Sequence, residues 1–207
     1  MLFVPLDIPK FEYSDKVATE FSMTRFYNVW EVEAITEPDY SNPIGGVTNI
    51  KENHPELVEF VKKHFPFSKI VSLELFKCVN DIPEHSDNSY LLDDTTLQDR
   101  KEDDTNMYIT PEFLKHQQET EPSGYRMMFF GDRQSLYYKI DGEKKYMNLP
   151  EETDSYVLQT YDAWHGLKRT PKDIDNRLVL FAVGWVDVDK HYNLINRSIE
   201  KYSDYCI

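Results

Sequence analysis

Cysteine is almost missing from this 207-residue chain. Cys78 sits in an apolar, strand-like run and Cys206 is next to last, which argues against a disulfide framework. Glycine is scarce at 7 residues, no stretch rich in Gly and Ser divides the chain, and no internal repeat is visible. Positive charge is the minority sign. Lys and Arg total 23 against 37 Asp and Glu, a formal charge of −14. That balance argues against a broad, sequence-independent grip on nucleic acid, because phosphate contacts need clustered positive charge. A basic peptide or a small metabolite is electrostatically the easier partner. No apolar run approaches the roughly 20 residues of a membrane span. The opening MLFVPLDIPKFEY lacks a basic segment and is broken by Pro5, Asp7 and Pro9, unlike a signal peptide. The expectation is a soluble, cytoplasmic protein without a membrane partner.

What is present suits a globular, β-rich fold: 40% hydrophobic residues, with 14 Tyr and 12 Phe to fill a barrel or line a pocket. One domain over 1–207 is the natural reading at this length. Residues 26–35 read as a strand. Residues 53–65 read as a helix, with Asn53 as cap, Pro55 in the first turn, Leu57 and Val61 at helical spacing, and Pro66 as stop. From residue 70 short strands follow at 70–79, 125–130, 135–140, 156–161, 164–169 and 177–186, with Gly131-Asp132 and Asp141-Gly142 as turns. This texture favours a sandwich or jelly roll over a parallel α/β sheet. Segment 88–124 is polar, includes a short helix signal at Thr110-Pro111, and reads as a surface insertion or a lid.

The chemistry concentrates at a few positions. In His85-Ser86-Asp87, residues two apart in an extended chain project to one side, so an imidazole and a carboxylate can reach one metal together. Alone, such a pair is better explained by a surface turn with a local Asx hydrogen bond. Downstream, Trp164-His165-Gly166 opens another strand, where His165 taken alone reads as a buried histidine satisfied by a backbone carbonyl; two imidazoles and one carboxylate on one side of an ion form the facial triad of non-haem iron oxygenases. Arg177 heads the apolar strand RLVLFAVGW, with Val179, Phe181, Val183 and Trp185 on its side. An arginine there is costly to bury without an anion, and its planar fork suits a carboxylate; an arginine at the strand's exposed end, paired with Asp173 or Asp175, explains it equally well.

The order His-x-Asp, His, Arg resembles the 2-oxoglutarate- and Fe(II)-dependent dioxygenase superfamily over residues 70–187. The resemblance implies a mainly β, cupin-like double-stranded β-helix (a jelly roll) with a few flanking helices. Residues 1–69 would support a 70–187 core carrying the 88–124 insertion, and 188–207 would extend it. It implies that His85, Asp87 and His165 hold catalytic Fe(II) and that Arg177 binds the far carboxylate of 2-oxoglutarate. O2 is the oxidant, and ascorbate serves as reductant. Arginine rather than lysine at this place resembles amino-acid and protein hydroxylases, including the aspartyl/asparaginyl type. The implied product is a hydroxylated amino acid or peptide side chain, with succinate and CO2.

The position two after Arg177 is Val179 rather than a hydroxyl residue, so another donor must complete the carboxylate site; Tyr125 and Tyr138 are candidates. Arg126 is a further candidate for co-substrate or substrate, although an outward-facing side chain is the simpler reading. Arg169 competes with Arg177, and Trp164 and Trp185 read as core. Two alternatives stand beside the hydroxylase: the same chemistry on a nucleobase or another metabolite, and a cupin-like protein that binds a metal or ligand without redox turnover.

Overall fold

The computed structural model describes residues 1–12, 27–28, 45–49, 54–78, 81–86, 124–160, 163–170 and 177–207. In chain order its strands are β1 (Phe3–Pro5), β2 (Tyr27–Asn28), β3 (Gly45–Asn49), β4 (Phe67–Cys78), β5 (Ile82–His85), β6 (Gly124–Phe130), β7 (Leu136–Ile140), β8 (Glu143–Tyr146), β9 (Ser155–Leu158), β10 (His165–Leu167) and β11 (Arg177–Val186). Helix α1 (Pro55–His64) precedes β4, and α2 (Val188–Tyr202) follows β11. The fold is mainly β, in two sheets. One has seven strands in the order β1-β9-β6-β11-β4-β3-β2; the other has four, β5-β10-β7-β8. All described pairings are antiparallel.

Both sides of the large sheet are apolar, for different reasons. Leu73, Leu75, Tyr125, Met127, Leu178 and Leu180 pack with Leu57, Val58 and Val61 of α1 and with Leu194 and Ile195 of α2. The alternate residues Phe3, Met128, Tyr156, Leu158 and Val179 pack with Tyr138 and Ala163, on or next to the small sheet's strands. Strand alternation thus sends successive side chains to a helical layer and to an inter-sheet layer.

Helix α1 begins as its sequence dictates. Pro55 occupies the first turn with Glu56, while Lys62, Lys63 and His64 complement the helix dipole at its end. Its cap position is His54, with no side-chain cap bond, rather than the expected Asn53, which lies outside the described residues. Helix α2 is capped by Asp187, which accepts from the Lys190 amide, and buries His191, Leu194, Ile195, Ser198 and Tyr202 in one stripe. The β7–β8 hairpin turns at Asp141 and Gly142, with φ of 51° and 85°, the pair of left-handed residues that a two-residue turn requires.

Most of 26–35, all of 88–123 and the Thr110-Pro111 helix signal lie outside the described residues. No described helix is long and apolar enough to cross a membrane. Cys206 is a free thiol.

Candidate functional site

Three strands of the small sheet build the site. Strand β5 ends at His85, β10 begins at His165, and the two residues are direct partners in the β5–β10 register. Directly opposed residues in an antiparallel pair project to the same side. The imidazoles accordingly meet, with ring centroids 4.3 Å apart and planes inclined by 53°. A metal ~2.1 Å from each nitrogen, with its two bonds near a right angle, sets ring centroids roughly 4–5 Å apart. The observed pair fits that requirement.

His165 is buried, and its Nδ1 donates to the Ala163 carbonyl at 3.0 Å. This bond fixes the tautomer in which Nε2 carries the lone pair, as an outer hydrogen bond does for metal-ligating histidines. His85 is half-buried. Asp87, the expected third ligand, lies outside the described residues, and among those described no group of three His, Cys, Asp or Glu is placed to hold an ion.

Tyr138 of β7 is the other register partner of His165, and its ring stands edge-on to the imidazole at 6.3 Å. Its hydroxyl is directed to the Leu2 carbonyl at 2.6 Å and the Gln159 carbonyl at 3.0 Å. A phenol has one proton to give, and these carbonyls take it. Tyr138 therefore acts here as a wall of the site, not as the carboxylate donor expected from its strand.

Arg177 is 2% exposed, and neither its Nε nor its Nη1 has a hydrogen-bond partner among the described residues. It shares its side of β11 with Val179, a member of the inter-sheet cluster, and with Phe181, which packs against that cluster and against Leu167 of β10. A buried guanidinium with orphaned donors is destabilising unless an anion completes it. The histidine pair and this arginine thus line the same inter-sheet layer.

The remaining candidates separate by strand parity. Tyr125 pairs with Ala182 and Arg126 with Phe181 in the β6–β11 register, so the two point to opposite sides. Tyr125 faces the helical layer, where its hydroxyl makes a short bond to His191 Nδ1 and burial pushes its pKa up. It thereby lies on the side of the sheet away from Arg177, not where the sequence reading expects a carboxylate donor. Arg126, expected outward, instead lies on the inter-sheet side, with its guanidinium 3.6 Å above the Phe181 ring. Arg169 is half-buried beyond the end of β10, and its amide donates to Asp81. Trp164, expected in the core, is 54% exposed, and Trp185 is half-buried near the end of β11.

A backbone carbonyl satisfying a buried His165 is what its sequence context alone predicts, and Ala163 supplies it, although residue type does not say which carbonyl does so. The side taken by Arg126 was readable only by counting alternation from Phe181 across a register that sequence does not reveal. Behind the site, Gly166 lets the Tyr137 ring lie against β10: a Cβ there would come within 2.8 Å of the Tyr137 hydroxyl oxygen and 3.0 Å of the Ile82 carbonyl oxygen. A scan of protein-family models and searches of curated proteins and of solved structures return no match to this chain.

Proposed function

We propose that this chain is an Fe(II)- and 2-oxoglutarate-dependent oxygenase that hydroxylates a C–H bond, built on a double-stranded β-helix. Strand order supports the fold. Counting β4 to β11 as first to eighth, the first pairs with the eighth, second with seventh, third with sixth, and fourth with fifth. Such pairing is that of one long antiparallel ribbon whose turns fall alternately in two sheets, the jelly-roll arrangement.

The observation that carries the chemistry is the cross-strand pair His85–His165. Asp87, two residues past His85, would complete a set of two imidazoles and one carboxylate that leaves positions open for co-substrate and O2. Fe(II) held there supplies O2 activation. Arg177 would take the distal carboxylate of 2-oxoglutarate, giving its orphaned donors their partner. Met128, Tyr138, Tyr156 and Val179 form an apolar cluster in the inter-sheet layer that would help to exclude water from the site.

The net reaction balances as follows. One oxygen atom of O2 enters the substrate C–H bond as hydroxyl, and the other enters succinate as the C1 carboxyl of 2-oxoglutarate leaves as CO2. Each organic partner gives two electrons, and O2 takes four. Ascorbate would keep iron reduced between turnovers.

Purified protein supplied with Fe(II), 2-oxoglutarate, ascorbate and air is expected to form succinate above a protein-free background, and His165→Ala to abolish this. Equal succinate from His165→Ala, or none from iron-loaded wild type, contradicts the proposal.

A further inference from the structure

We infer that Glu84 is a positioning residue of the metal site: tied down on the outer side of the small sheet, it holds a bulged β5 in the register that turns His85 toward His165. The inference rests on the histidine pair being a metal site, as proposed above, and names what keeps that pair together.

The bulge comes first. Ile82 pairs with Leu167 and His85 with His165, three steps along β5 against two along β10. Strand β5 therefore carries one extra residue, at Pro83-Glu84, which is the arrangement of a β-bulge. Its consequence is a change of side. In a regular strand, residues three apart project to opposite sides. Ile82 packs against Leu167, as Leu136 and Phe181 do, so a regular β5 would send His85 outward. The bulge returns the imidazole to the inter-sheet layer, beside His165. Little in β5 itself secures this. It has 4 residues, stands at the edge of the small sheet's described strands, and includes Pro83, which has no amide proton for the ladder.

The outer side supplies the restraint. Glu84, the bulge residue next to His85, makes ion pairs with Lys139 of β7 at 2.7 Å and with Lys144 of β8 at 3.4 Å. Both lysines lie beyond β10, so the contact must cross that strand. It crosses at Gly166, where the Tyr137 ring and hydroxyl take the space that a side chain would need. The Tyr137 hydroxyl lies 3.5 Å from Glu84 and 2.9 Å from Lys144, whose ammonium stands 4.1 Å above the ring centroid. One carboxylate in the bulge is thus tied to two strands with which β5 does not pair. At the other end of β5, Asp81 accepts from the Arg169 amide at 2.8 Å and pairs with Lys168 at 2.5 Å. A lone exposed ion pair would add little, whereas a network that spans the sheet can fix a geometry.

Zn(II) affinity of the full chain, read by competition with a chromophoric chelator, tests this. Imidazole sites hold Zn(II) more tightly than Mn(II), so weakened variants stay measurable. Glu84→Ala is expected to lower the affinity roughly tenfold, as loss of an outer partner of a ligand does, with an unchanged far-ultraviolet circular dichroism spectrum. Glu84→Gln keeps an acceptor for Lys139 and should recover most of that loss. Lys139→Met should also weaken binding, although removing a nearby positive charge would by its field alone strengthen it. In a His85→Ala background the Glu84→Ala change should cost less than about twofold, because it acts through His85. A wild-type chain that binds no Zn(II) would refute the metal pair itself. Where wild type does bind, four results overturn the inference: Glu84→Ala binding like wild type, Glu84→Gln as weak as Glu84→Ala, Lys139→Met at least as tight as wild type, or an undiminished loss without His85. Should Glu84→Ala fail to fold, the direction of the Lys139→Met effect decides.

Discussion

His85 and His165 stand directly opposite each other across the β5–β10 pair, their ring centroids 4.3 Å apart, and the Ala163 carbonyl holds Nδ1 of His165. The two residues are far apart in sequence, and the ribbon-like pairing of the strands brings them together. A register slip of one residue would turn one imidazole to the other side of its strand.

Replacing either imidazole should remove metal binding without unfolding the protein. Mn(II) affinity, read from the paramagnetic signal of the free ion, is expected to fall at least about tenfold in His85→Ala and in His165→Ala, a loss that even outer partners of a ligand can cause. Far-ultraviolet circular dichroism should be unchanged. Wild-type affinity in either variant counts against the shared site.

Arg177 should trade stability for co-substrate binding. Arg177→Met removes a buried guanidinium with orphaned donors, so the variant without ligand should melt at the wild-type temperature or higher, with N-oxalylglycine binding lost. Arg177→Lys should fold and need far more 2-oxoglutarate, because a point charge replaces a fork. A wild-type 2-oxoglutarate titration in the lysine variant would show that the anchor lies elsewhere.

Tyr125 should matter to stability and its pH dependence rather than to co-substrate binding. Tyr125→Phe takes a partner from His191 in the helical layer, a loss of about 1–3 kcal/mol at neutral pH. Burial raises the hydroxyl's pKa in the folded state. Its contribution is therefore fully present below the unfolded tyrosine value of about 10 and is lost as pH rises beyond it, because the unfolded chain ionises first. Urea unfolding at about pH 7 and about pH 11 should show a smaller alkaline loss in Tyr125→Phe than in wild type. An equal loss would remove Tyr125 from this account.

Gly166 should be intolerant of a side chain. The added methyl of Gly166→Ala meets the Tyr137 hydroxyl and the Ile82 carbonyl, and overpacking of this kind costs typically 1–3 kcal/mol. Because β10 carries His165, Mn(II) affinity should fall with stability. Tyr137→Phe in the same chain deletes the nearest contacting atom and should restore part of both. No restoration would place the clash at Ile82.

Strands with strong alternation were legible. Alternation marks Arg177–Val186 to its boundaries, and residue type alone marks the Asp141-Gly142 turn. Strand β8, with the sequence EKKY, is exposed throughout and offers no apolar pattern; its place follows from the hairpin turn and from pairing with β7. Helix α2 is hard to read from sequence because its buried stripe includes His191 and Ser198, which disguise the apolar period. The Ser198 hydroxyl donates to the Leu194 carbonyl and accepts from the Asp7 amide, a partnership formed across the whole chain. At the site, residue types named His85, His165 and Arg177, but only register separates Tyr125 from Arg126. Alternation within one strand is written in sequence, whereas the layer that each side faces is fixed by distant partners.

Anaerobic addition of Fe(II) and then 2-oxoglutarate, followed in the visible spectrum, tests the central claim most directly. Chelation of iron by the 2-oxo acid at this site predicts a charge-transfer band that needs protein, metal and co-substrate together, weakens in Arg177→Met, and is absent in His85→Ala and His165→Ala. A wild-type protein that binds no Fe(II), or a band that persists without His165, would contradict it.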